Sequence, residues 1–109
     1  MNNIKTDSYY KDKILEDINK IIEYTDSLSY QVFICDELVV DAVLFRLIQI
    51  SENVKKLSDG FKRSYPEVKW SDIVGFRNKI VHDYGKVDYT IVYEVLSQDI
   101  PKIKAQLNK

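Results

Sequence analysis

Residues 36–57, DELVVDAVLFRLIQISENVKKL, decide the fold. At helical spacing Val40, Val43, Leu47, Ile50, Val54 and Leu57 fall on one unbroken apolar arc. Asp36 stands where an N-cap belongs, so the stretch reads as a helix running to about Leu57. Its first half carries a second apolar set. Leu38, Ala42, Phe45 and Ile48 lie on the opposite side, among Asp41, Gln49 and Glu52. A helix that is apolar on two sides needs cover on two sides. In a bundle this small the second cover is expected from another copy of the chain, which predicts a homodimer. The alternative is cover by the preceding helix and the segment around Tyr30 and Phe33.

Working outward, residues 7–28 form a helix with Ile14, Ile18, Ile21 and Thr25 on one stripe beside Leu15 and Ile22. Residues 29–35 make a short polar–aromatic link. After the central helix, residues 58–69 carry Gly60 and Pro66 and read as a broken connection with some helical turns. Ser71 is positioned to cap a third helix over residues 72–84, which Gly85 would terminate. Asp88 is positioned to cap a fourth, whose stripe Val92, Leu96, Ile100, Ile103 and Leu107 continues in phase past Pro101. That proline therefore reads as a kink or a fresh helix start. Strand-like alternation, repeats and low-complexity segments are missing. The expected architecture is all-α: one domain over residues 1–109, an up-and-down antiparallel bundle of four to five helices.

With 109 residues, 45 % hydrophobic and 30 % charged, the chain is long enough for one core and has an ordinary globular composition. A formal net charge of -1 provides no overall field that would draw a nucleic acid. An RNA partner would need a local cluster, for which Lys62, Arg63, Lys69, Arg77, Lys79 and Lys86 are candidates; solvated helix surfaces explain them equally well. The single cysteine, Cys35, forbids an internal disulfide, is expected to fill a core gap, and fits a reducing cytosol. The charged start of the chain and the lack of a long apolar run argue against a signal peptide or a membrane span, so a cytoplasmic location is expected. One histidine and one cysteine are too few soft or nitrogen ligands for a transition-metal site. The expected mechanism uses no metal and no cofactor.

The chemistry points to residues 77–84, RNKIVHDY. As one continuous helix, this segment puts Ile73, Phe76, Ile80 and Tyr84 on the core face and Asp72, Lys79 and Asp83 toward water. Arg77 falls inside the apolar arc. A guanidinium there must pair with an acid, Asp41 or Glu52 being candidates, or point into a polar cleft. Asn78 and His82, four apart, stack on a flanking strip near Gly75. Taken singly, an arginine on an apolar face is usually a structural ion pair, a flanking histidine a surface or capping group, and Tyr84 simply core.

Taken together, Arg77, the adjacent Asn78, His82 five residues after the arginine and Tyr84 two further on resemble the signature of HEPN domains. The tyrosine is similar to that of the HepT branch, toxins paired with a minimal nucleotidyltransferase (MNT) antitoxin. The resemblance extends to Asp41-Ala42 and Ile50–Asn53 on the long helix, Trp70 before the motif, and Val87-Asp88 and Pro101 in the tail. It departs at Ser51, where the family usually has glycine before the residue that is Glu52 here.

The resemblance implies a metal-independent endoribonuclease in which an RNA 2′-hydroxyl attacks its own phosphate, leaving a cyclic phosphate and a 5′-hydroxyl. The residues suit that task. His82 has an intrinsic pKa near 6.5 for moving protons at neutral pH, and Arg77 offers fixed donors to phosphate charge. Asn78, by the resemblance, orients the motif or hydrogen-bonds near the phosphate. An acid and a base are both useful, and a two-fold dimer would supply two copies of His82; Tyr84 or water are the alternatives. The resemblance also implies that the MNT partner transfers AMP to Tyr84 and silences the toxin. The expected partners are RNA, a second copy and the nucleotidyltransferase, with no membrane and no DNA. The competing readings are a non-catalytic HEPN module that docks on a nucleotidyltransferase and binds nucleotide or RNA, and a purely structural helical dimer.

Overall fold

The computed structural model describes residues 5–81 and 85–108. Two long helices form its frame: α1, Asp7–Thr25, and α3, Glu37–Lys55. Both are capped as their sequences suggest. Thr6 accepts from the Tyr9 amide at the start of α1, and Asp36 accepts from the Val39 amide at the start of α3. The pair is antiparallel. Asp7 meets Ser58, the Lys56 ammonium lies over the Tyr10 ring, and Asp17 meets Arg46, so partner numbers fall on one helix as they rise on the other.

Between them, α2, Tyr30–Ile34, is a single capped turn that buries Phe33. Beyond α3 the chain breaks into short pieces: α4, Asp59–Arg63; α5, Trp70–Val74; and α6, Phe76–Ile80. The last arm starts with α7, Tyr89–Glu94, capped by Asp88 as its sequence suggests. It passes through a π-helical turn, Val95–Asp99, into α8, Ile100–Leu107. The in-phase stripe Val92, Leu96, Ile100, Ile103 and Leu107 is buried throughout. Pro101 sits in the first turn of α8, where its missing N–H is least costly, and the wider turn before it absorbs the interruption. These faces meet in one core of Ile14, Ile18, Ile21, Val43, Leu47, Ile50, Val54 and the last arm's stripe. The fold is all-α, and the only β pairing among the described residues is an isolated bridge between Val81 and Val87. No helix among the described residues is long and apolar enough to cross a membrane.

Three local expectations need correction. Helix α1 ends at Thr25, and Ser27 turns the chain with a φ of 63°. Cys35 is exposed at the end of α2 and fills no core gap. Ser71 does not cap the third helix: α5 already starts at Trp70, with Lys69 at the N-cap position and no side-chain cap. The indole explains the earlier start, because its Nε1–H donates to the Lys62 carbonyl at 3.0 Å and packs the ring against Phe61.

Candidate active site

The third helix is not one continuous rod. Gly75 separates α5 from α6, and α6 ends at Ile80. Val81 is extended and bridges Val87, while the Asp88 amide donates to the Ile80 carbonyl at 2.9 Å. The expected helix over residues 72–84 therefore stops short. His82, Asp83 and Tyr84 lie outside the described residues. What the structure gives is their frame. Residues 80–81 are fixed to residues 87–88, and Gly85, with a φ of +74°, takes a left-handed conformation that glycine adopts without strain.

Arg77 corrects the expectation of a guanidinium within the apolar arc, because it is exposed. Ile73 on α5 and Phe76 and Ile80 on α6 are buried in the one core, as the spacing predicts. Arg77 lies at the edge of this face. Its presumed partners are also ruled out: Glu52 pairs with Lys55 at 2.8 Å, and the described carboxylates form no ion pair with Arg77. Asn78 and Lys79 are exposed beside it. An open guanidinium and carboxamide, five and four residues ahead of His82 in the sequence, are available to a ligand, not spent on the core.

Ser51 explains how the helix break is held. It is almost completely buried, and its hydroxyl donates to the Val74 carbonyl at 2.8 Å. The residue that departs from the family's usual glycine thus ties α3 to the end of α5, directly before Gly75. A Cβ on Gly75 would lie 3.4 Å from the Ser71 carbonyl oxygen, in contact with the last turn of α5.

The basic candidates divide. Lys62 and Arg63 belong to α4; Lys69 and Lys79 line a shallow groove with Lys102, Asp72 and Asp99; Lys86 follows Gly85 at the surface. Sequence reasoning missed the ion pair that does reach into the core, Arg46 with Asp17 at 2.8 Å. The signal was faint: an arginine between Phe45 and Leu47, with its acid a whole helix away.

A helical bundle that presents an arginine–asparagine pair, followed in the sequence by a histidine, on a short helix packed against the long α3 is of the HEPN class. The chain belongs to the HepT-like ribonuclease family: the family model described as Ribonuclease HepT-like matches residues 14–109. Among curated relatives it is 34 % identical over 94 residues to a Methanocaldococcus jannaschii protein named "Putative RNase", covering 86 % of each chain. It is 33 % identical over 100 residues to the "Probable ribonuclease HepT" of Thermococcus cleftensis, covering 92 % of this chain and 91 % of that one. A third, named "Putative RNase", from Caldanaerobacter subterraneus, is 31 % identical over 106 residues, with 97 % and 95 % covered. No solved structure matches the chain.

Proposed function

We propose that the chain is a metal-independent endoribonuclease toxin in which Arg77 and His82 carry the chemistry. The observation supporting this most directly is the exposed Arg77 on α6, which forms no ion pair with a described carboxylate, in a chain that the family model matches as a ribonuclease. In the proposed reaction the RNA 2′-oxygen loses its proton to a base, forms a bond to the neighbouring phosphorus, and displaces the 5′-oxygen, which takes a proton as it leaves. The products are a 2′,3′-cyclic phosphate and a 5′-hydroxyl, and no outside nucleophile is consumed. His82 serves as a proton carrier and Arg77 stabilises charge on the phosphoryl oxygens. Asn78 orients the motif or donates to the phosphate.

Each chain has one histidine. We therefore propose a two-fold dimer that brings two Arg77 and two His82 side chains to one cleft. Support comes from α3, where Leu38, Phe45 and Ile48 are 81 %, 57 % and 42 % exposed. That is a run of large apolar groups which a lone chain leaves in water.

The test is substitution. Arg77→Ala and His82→Ala should each lower RNA cleavage by about 10²–10⁴-fold, with helicity unchanged by circular dichroism and with growth inhibition lost. EDTA should have no effect. Cleavage that EDTA stops and magnesium restores would refute the mechanism, and undiminished toxicity of His82→Ala would favour a binding module.

Control is proposed to act at Tyr84. A nucleotidyltransferase partner would transfer AMP from ATP to the tyrosine oxygen and release pyrophosphate, placing a phosphodiester where it competes with RNA phosphate for Arg77. Mass spectrometry after incubation with such a partner and ATP should find adenylyl groups on Tyr84 and on none of the other seven tyrosines. Tyr84→Phe should cleave RNA yet escape neutralisation. An inactive Tyr84→Phe would instead make the hydroxyl a proton carrier.

A further inference from the structure

One corner of the molecule combines ring surfaces with cations that form no ion pair with a described carboxylate. It is built where the start of α1, the end of α3 and α4 come together. The Asp7 carboxylate fastens this corner, accepting from the Ser58 amide at 2.8 Å and the Ser58 hydroxyl at 2.6 Å. These two bonds hold the Asp7 carboxyl below its usual pKa. Ser58 in turn caps α4 by accepting from the Phe61 amide.

Five aromatic residues follow one another across the corner. Tyr9 and Tyr10 meet edge to face at 5.2 Å, Tyr65 and Phe61 are 5.0 Å apart, and Phe61 and Trp70 are 6.2 Å apart. Lysines tie the helices that carry these rings: Lys56 of the α3 C-terminus lies 5.7 Å from the Tyr10 ring centre on α1, and the Lys11 ammonium of α1 donates to the Tyr65 hydroxyl at 3.0 Å. Lys5 lies 4.6 Å over the Tyr9 ring. Lys62 and Arg63 extend the set along α4. None of these five cations forms an ion pair with a described carboxylate. Asp12 and Asp59 are the nearby acids in sequence, while Glu52 is occupied by Lys55. The corner is therefore net positive in a chain whose formal charge is -1.

We propose that this corner is a second binding surface for single-stranded RNA, holding nucleotides that flank the cleaved bond; the proposal rests on the reading of the chain as an RNA-cleaving enzyme. The pairing of chemistries is the argument. Partly exposed ring faces accept unstacked bases of any identity, and loosely held ammonium groups accept the phosphates between them. An exposed ammonium over a ring is a weak contact, so Lys5 and Lys56 can swing to a phosphate while a base takes their place on the ring. The half-buried Lys11 can exchange its bond to the Tyr65 hydroxyl for one to a phosphate. Duplex RNA keeps its bases stacked inside and gains only the charge contacts. The surface is also connected to the chemistry. Its last ring, Trp70, is the first residue of α5, which leads through Gly75 to Arg77.

The test uses the full chain and a labelled 2′-O-methyl single-stranded oligonucleotide, whose blocked 2′-oxygen cannot attack. Fluorescence anisotropy is followed against salt. Lys11→Gln with Lys56→Gln should flatten the slope of log K against log salt by about 1.4, the loss of two single-strand phosphate contacts. Tyr9→Leu should weaken binding by about 5-fold or more with an unchanged slope, as expected for one lost stacking contact. Circular dichroism checks that both variants fold; Tyr9 and the two lysines lie outside the core cluster of buried side chains. Wild-type affinity and slope in both variants would overturn the proposal and leave the surface to a protein partner, and so would failure of the wild-type chain to bind. Cleavage that depends on Arg77 while binding ignores the surface sinks the surface alone. Binding that depends on the surface without any cleavage sinks the activity reading alone.

Discussion

Asp17 is 5 % exposed and would be an expensive charge without Arg46. The guanidinium donates to the carboxylate at 2.8 Å and to the Tyr24 hydroxyl at 3.2 Å, and lies close to the rings of Tyr24 and Phe45. Burial pushes the Asp17 carboxyl above its usual pKa, outweighing the downward pull of Arg46. A raised pKa means that the folded chain holds this proton more tightly than the unfolded one. Ionising Asp17 thus costs stability, and that cost disappears as pH falls. Arg46→Leu should cost about 3–5 kcal/mol at pH 7 by leaving the acid buried and unpaired. It should regain part of this in urea melts at pH 5, and Asp17→Asn in the same background should regain part at pH 7. A variant that loses further stability between pH 7 and pH 5 would mean that Asp17 is not the group responsible. Arg46 also shows what one sequence leaves hidden. A helical wheel separates faces, but it does not reveal which acid on another helix will lie opposite. The same wheel placed Arg77 within the apolar arc, at whose edge a long charged side chain reaches water.

The helices with long apolar periods were legible; the short ones were legible only in part. The caps Asp36 and Asp88 and the stripes of α1, α3 and the last arm follow from spacing alone, because many residues vote for each face. Helices α5 and α6 have five residues each, so one glycine or one tertiary hydrogen bond outweighs their periodicity. The Ser51 hydroxyl on Val74 and the bridge from Val81 to Val87 are such long-range contacts, and spacing contains no record of them. Gly85 was legible as a stop signal, although the helix it was meant to stop had ended at Ile80. Its positive φ makes a direct test possible. A Cβ at Gly85 would meet nothing among the described residues within 4 Å, so Gly85→Ala probes chiefly backbone strain. It should cost about 1–2 kcal/mol, lowering Tm by about 4–8 °C per kcal/mol. Cleavage should fall more than the lost stability explains, because residue 85 directly follows the proposed motif residues 82–84 in the chain. Gly85→Asn, which tolerates this conformation better, should keep more of both. Equal Tm values for the alanine and wild-type chains would show that the turn relaxes without strain.

The residues proposed for catalysis and the apolar face of α3 become one question when two copies are considered. Leu38 and Phe45 are seven residues apart, two turns of α3, and share its outer side with Ile48. The inner side of the same helix is closed by Val40, Val43, Leu47, Ile50 and Val54. The second apolar set is therefore not consumed by folding, and the preceding helix and α2 leave it uncovered. Phe45 adds a further link, because the Arg46 guanidinium lies 5.8 Å from its ring; a partner stacked there would rest on a side chain already held by Asp17. Self-association through this face should therefore be lost with one charge. Phe45→Glu and Leu38→Glu should shift the chain from dimer to monomer in sedimentation at tens of micromolar while changing monomer stability little, since both side chains already stand in water. Cleavage should fall with dimer content if two copies of His82 share one cleft. Mixing Arg77→Ala chains with His82→Ala chains sharpens the test: a mixed dimer keeps one arginine and one histidine and should recover activity that neither parent has. A wild-type chain that sediments as a monomer would defeat the shared cleft, and a fully active, monomeric Phe45→Glu would assign both proton transfers to a single chain.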